Sequence, residues 1–156
     1  MRPVTLEQTR AAIRAPGVKG ERPLVLMNVW ATWCAPCREE FPEFLRIRSE
    51  FARRGVRLMF VSADFDTELP AVKRFLAAHG VDFATFIKND PDMKFINGLE
   101  PRWTGALPAT FLYDGAGRQL WFHEGKVTYD TLKTRIAVAL AATEAAPAPA
   151  HRGGHP

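Results

Sequence analysis

The sequence predicts an α/β fold: a central mixed sheet, parallel strands followed by a C-terminal antiparallel hairpin, with helices on both faces. Three observations carry this. Strand-length apolar runs, LVLMNVW and VRLMFVS, are separated by helical patterns, which implies parallel pairing through right-handed crossovers. Late in the chain two strand-like segments flank DGAGR, whose turn chemistry imposes antiparallel pairing. The chain has 156 residues, 47% hydrophobic and 24% charged, which suits one domain with one core.

Residues 5–15 begin with a capping Thr5 and place Leu6, Ala11 and Ile13 among polar residues, a helix that Pro16 and Gly17 end. Leu24–Trp30 reads as a buried strand. From Cys34 a helical pattern runs through Phe41, Phe44, Leu45, Ile47 and Phe51 to Gly55, with a kink expected at Pro42. Residues 56–62 form the next strand and residues 69–79 the next helix, closed by Gly80, with His79 as a donor or cation at its C-terminal end. Residues 81–88 hold a short strand, 90–98 one or two helical turns, 109–113 and 119–124 the hairpin, and 128–142 a last amphipathic helix. The domain is thus placed at 1–142. Residues 143–156, TEAAPAPAHRGGHP, cannot bury enough apolar surface to order themselves and are expected to be a disordered tail, whose His151 and His155 are incidental.

Composition narrows the function. The formal charge of +4 is spread along the chain rather than gathered into a run, and no aromatic-interleaved basic cluster exists, so nucleic acid is excluded as the expected partner. No apolar run approaches the roughly 20 residues that span a bilayer, so no membrane span is expected. The N-terminal stretch has no apolar segment with a cleavage site after it, so the chain reads either as cytoplasmic or as a segment whose export signal was removed.

The chemistry concentrates in WATWCAPCREEF. Its two cysteines, Cys34 and Cys37, are the only ones in the chain. A structural zinc site needs four ligands and no second pair exists, so metal is set aside. A domain of this length does not need a disulfide brace. A redox role has a mechanical basis. Cys34 stands where a strand hands over to a helix, and the unpaired N–H groups and positive dipole end there favour a thiolate, which makes it the nucleophile. Cys37, one turn on, becomes the resolving thiol. Pro36 stiffens the first turn where a missing N–H costs little, and Trp33 gives the thiol an aromatic shoulder, whereas Trp30 reads as core.

At these residues the sequence resembles the thioredoxin superfamily, in its TlpA-like branch of thiol–disulfide oxidoreductases. LMNVWATWCAPCREEFPEF is similar to that branch's dithiol segment, and GALPATFLYDGAGR to its second block. The resemblance covers about residues 24–140 and implies a thioredoxin-like fold. It also implies a cis bond before Pro108, facing the dithiol, with Leu107 offering its backbone to an extended substrate. Asn28 stands where thioredoxins proper carry a buried Asp, and cannot relay a proton. Glu40 matches the branch's glutamate, a partly desolvated carboxylate that takes the proton from Cys37. Its neighbours Glu39 and Glu43 have solvated counterparts on any such helix. Many members of the branch begin with a strand pair, whereas here a helix is expected in that region.

The function expected is therefore reduction of a disulfide in a client protein, with a separate thiol electron donor restoring the dithiol, no bound cofactor, and a monomeric chain. The resemblance implies an extracytoplasmic site, in the periplasm or cell envelope, against the cytoplasm suggested by the N-terminus. The same parts would serve a disulfide-forming oxidase. A copper-handling protein binding Cu(I) through both thiolates is the rival from another class. A peroxidase ranks last, since its cysteine pattern differs.

Overall fold

The computed structural model describes residues 1–17 and 20–145. Its elements are β1 (Arg2–Val4), α1 (Leu6–Arg14), β2 (Leu24–Trp30), α2 (Ala35–Phe51), β3 (Val56–Ser62), α3 (Leu69–Ala78), β4 (Phe86–Lys88), α4 (Asp92–Leu99), β5 (Ala109–Tyr113), β6 (Gln119–Glu124) and α5 (Tyr129–Ala145). One sheet runs in the order β1-β4-β3-β2-β5-β6. The first four pair in parallel, and β5 and β6 are antiparallel to their neighbours. This is the mixed sheet that the crossover and hairpin patterns predict.

The alternation of β2 sorts the core into two layers. Leu24, Leu26 and Trp30 join a cluster with α2, α3 and α5, while Val25, Met27 and Val29 join one with α1 and α4. Asn28 has the parity of Leu26 and Trp30, so the one polar residue of this strand faces α2. There Glu40, Phe41, Phe44, Ile47 and Phe51 are buried at helical spacing. Phe41 stacks on Phe60 at 4.2 Å between centroids and meets Trp30 at 5.1 Å, locking the start of α2 to the ends of β2 and β3. Pro42 lies within an unbroken α2, on its exposed side. His79 caps α3, its Nδ1 at 2.9 Å from the Phe75 carbonyl.

Two boundaries differ from expectation. The chain begins with β1 rather than with a helix: a three-residue strand offers no periodicity to read, and its Pro3 is tolerated because β1 lies at the sheet edge. At the other end α5 continues to Ala145, past the boundary placed at 142, because AATEA is rich in helix-forming alanine and Pro147 is the next residue to oppose a helix. The rest of the expected tail, with His151 and His155, lies outside the described residues.

Candidate active site

The end of β2 delivers the chain into a turn, residues 31–34, and Cys34 becomes the N-cap of α2. Its Sγ accepts the backbone N–H of Cys37 at 3.3 Å, so one of the helix's unpaired donors is aimed at the sulfur. Cys34 and Cys37 form a disulfide with their Cα atoms 5.3 Å apart. Cys34 is 7% exposed and Cys37 1%, so the first sulfur is the one within reach from solvent. Trp33 beside it is 55% exposed, Pro36 is exposed in the first turn of α2, and Trp30 is buried.

The Leu107–Pro108 peptide bond is cis. Because Ala109 pairs with Val29, the register sets buried Pro108 beside Trp30, at the end of β2 that leads into the dithiol turn. The Pro108 carbonyl accepts from Gly125 N–H at 2.8 Å, and the Trp103 indole donates to the Ala106 carbonyl at 2.8 Å, which holds the preceding loop. Leu107 is half-buried and packs against both core clusters.

Behind Cys37, one turn along α2, lies Glu40. Where the sequence implies a partly desolvated carboxylate, the side chain is completely buried. Its Oε1 accepts from Val127 N–H at 2.9 Å and its Oε2 from the Asn28 amide at 3.0 Å. Burial raises the carboxyl from 4.5 to about 7, against the opposing pull of the Val127 and Asn28 bonds and of the Lys126 charge. Its neighbours on α2 behave differently. Glu39 is exposed and bonded to Lys126 Nζ at 2.8 Å, which lowers its pKa, and Glu43 accepts from Tyr129 N–H at 3.3 Å. The three glutamates thus receive the segment leading into α5, and only the middle one is shut away from water.

Three contributors escaped the sequence reading, and a fourth, Asn28, was placed by it without its partner. Asn28 is a donor to Glu40, and a lone polar residue in an apolar strand was the signal for it. Val127 and Lys126 come from 87 residues away in sequence, beyond any local pattern. Asp64, 2% exposed, binds the turn before Cys34, and only its place just after a strand hinted at a role. Among the described residues no group of three or more His, Cys, Asp or Glu side chains could hold a metal ion, and His123 is occupied at the edge of the site by the Lys126 carbonyl at 3.3 Å.

Comparison with known proteins adds a second line. The family model described as AhpC/TSA family matches residues 4–118. Thiol:disulfide interchange protein HelX of Rhodobacter capsulatus is 38% identical over 119 residues, 76% of this chain and 61% of the relative. Thiol-disulfide oxidoreductase ResA of Bacillus anthracis is 32% identical over 109 residues, 70% of this chain and 59% of the relative. The matched part is therefore about three-fifths of these relatives' own length. The crystal structure of a thiol:disulfide interchange protein, thioredoxin family protein, from Chlorobium tepidum superposes with a TM-score of 0.64 at 21% identity, over 81% of this chain and 91% of that one, which establishes a thioredoxin-like fold. Among the described residues no helix is long and apolar enough to cross a membrane.

Proposed function

The chain belongs to the thioredoxin-like AhpC/TSA family and matches its TlpA-like oxidoreductase branch, and from that premise we propose that it is a protein thiol–disulfide oxidoreductase that reduces disulfides in client proteins. The observation that carries the reading is the pair itself: two bonded sulfurs at a helix N-terminus, the first reachable and holding a helix N–H, the second buried one helical turn before a carboxyl that burial raises to about 7.

The reaction begins with the reduced pair. The Cys34 thiolate, stabilised by the Cys37 N–H and the helix dipole, attacks one sulfur of the client disulfide. A Cys34–client disulfide forms and the other client sulfur leaves as a thiolate that takes up a proton. Glu40, ionised above its raised pKa, takes the Cys37 proton, and the Cys37 thiolate attacks Cys34 Sγ. The second client sulfur leaves as a thiolate that takes the proton back from Glu40, and the Cys34–Cys37 disulfide closes, so the client has gained two electrons from the protein, one proton from Cys37 by way of Glu40 and one from solvent. An upstream dithiol donor reverses the change on the protein. Trp33, Pro36, Leu107 and Pro108 form the rim against which an extended client segment lies, with Leu107 supplying backbone contacts. Such clients occur where disulfides persist, which favours an extracytoplasmic compartment.

The test uses the protein reduced beforehand and a peptide containing one disulfide. Cys34→Ser abolishes reduction, and Cys37→Ser accumulates a mixed disulfide through Cys34. A Cys34→Ser protein that still reduces the peptide, or a Cys37→Ser protein that traps nothing, refutes the assignment.

A further inference from the structure

The reaction above gives no task to the buried acid bonded to the dithiol turn. Asp64 follows β3, and its carboxylate accepts every one of its side-chain bonds. Thr32 N–H reaches both oxygens at 3.1 Å, the Thr32 hydroxyl reaches Oδ1 at 2.5 Å, and the Ser62 hydroxyl reaches Oδ2 at 2.6 Å. Ser62, itself 1% exposed, also accepts the Asp64 backbone N–H at 3.0 Å, so the carboxylate is fixed from its own strand as well as from the turn. On the other side of the same turn, Arg38 donates to the Thr32 carbonyl at 2.5 Å. The residue two before the nucleophile is thus held between an anion on its N–H side and a cation on its C=O side.

This arrangement exceeds what holding a turn requires, since a neutral acceptor would satisfy one N–H and one hydroxyl. An anion placed inside the protein and wired to the turn acts on any charge formed at its end, through a medium less polar than bulk water. The thiolate of reduced Cys34 is such a charge. The other charged groups near the turn are Arg38 and Glu40 on α2, and Asp66, Lys88 and Asp90, which line with Asp64 a cavity of about 280 Å³ at the ends of β3 and β4. Lys88 is paired with Asp92 at 2.6 Å, and Asp90 with Lys94 at 3.6 Å, which leaves Asp64 as the buried anion bonded directly to the turn.

We propose that Asp64 is a positioning residue of the dithiol that clamps Thr32 and, through its charge, disfavours the Cys34 thiolate, holding the couple on the reducing side. The proposal rests on the dithiol reading above and deepens it, since it identifies a residue that biases the couple toward giving up electrons. Destabilising the thiolate raises the free energy of the reduced pair, whereas the disulfide carries no charge and is indifferent, so the carboxylate makes oxidation of the pair more favourable. A unit charge within about 12 Å at an effective dielectric of about 20 changes such an equilibrium about tenfold.

The experiment equilibrates wild type, Asp64→Asn and Arg38→Gln with glutathione at pH 8. Protein dithiol plus glutathione disulfide gives protein disulfide plus two glutathione thiols, and the free protein thiols are counted by alkylation. In Asp64→Asn, which keeps the side chain's shape, the equilibrium constant for oxidising the protein falls about tenfold. In Arg38→Gln, an exposed position, it rises at least about twofold because the opposite charge is gone. If wild type does not exchange with glutathione at all, both the dithiol reading and this proposal fall. Where wild type exchanges, an Asp64→Asn constant within twofold of wild type, or above it, overturns the proposal alone. Should Asp64→Asn fail to fold, the decision passes to Arg38→Gln, whose unchanged or lowered constant overturns it equally.

Discussion

Replacing Glu40 by Gln tests the buried carboxyl and the reasoning behind it. Burial raises its pKa from 4.5 to about 7. At about 1.4 kcal/mol per tenfold change in proton affinity, this corresponds to about 3 kcal/mol of folding stability. The sign follows from which state holds the proton. Because the folded protein binds it more tightly, the contribution is fully present below pH 4.5, where both states are protonated, and is lost as pH rises through about 7. Glutamine does not titrate, its Oε1 still accepts the Val127 N–H, and the Asn28 amide needs only to turn over to present its oxygen. Other groups titrate alike in the two proteins and cancel. The stability of Glu40→Gln relative to wild type therefore grows by about 3 kcal/mol between pH 4.5 and pH 8. Urea unfolding followed by tryptophan fluorescence measures this on the oxidised protein, whose bonded cysteines do not titrate. A difference constant to within about 0.5 kcal/mol across that range would show that Glu40 is not desolvated. In reduced protein the same substitution removes the inflection near pH 7 from the step that releases the second client thiol; an unaltered profile there would refute Glu40 as the base.

Asn28→Asp places a second carboxyl 3.0 Å from Glu40 Oε2, and the pair retains a shared proton past pH 7, lowering stability at pH 8 by about 1–3 kcal/mol; equal stability of the two proteins at pH 8 would contradict the contact. Phe41→Ala removes a fully buried ring stacked on Phe60 and costs about 3–5 kcal/mol in urea unfolding, whereas a loss under about 1 kcal/mol would mean that α2 is not locked there. Glu100 is held at about 2 by its bonds to Arg102, first the side chain and then the backbone N–H, and by Gln119. Its contribution is present above pH 4.5 and lost as pH falls through about 2, so Glu100→Gln flattens the acid limb of the stability profile. An acid limb identical in both proteins would count against those bonds.

Most of the fold could be read locally. Leu24–Trp30 and Val56–Ser62 are continuous apolar runs of strand length, and DGAGR has turn chemistry that leaves little choice of pairing. β1 escaped because three residues carry no period, and it becomes a strand only because β4 is there to pair with it. The end of α5 escaped because alanine at a helix terminus reads equally well as the start of a linker.

Within the site the division is sharper. The order of residues alone places Cys34 at the strand-to-helix junction, Cys37 a turn later and Glu40 a turn after that, because helix geometry follows from spacing. What the spacing cannot decide is which glutamate loses water. Glu39, Glu40 and Glu43 share a short stretch of one helix, and only the docking of the segment before α5, with the Val127 N–H and the Lys126 ammonium, buries the second and leaves the first exposed. The Asp64 clamp on Thr32 likewise exists only because β3 ends beside β2 in register, Trp30 opposite Ser62. Local sequence determined where the sulfurs stand and what they can attack. Desolvation and fixed charge, which set how readily they give up electrons, depend on groups from distant parts of the chain, and only the packed structure brings those together.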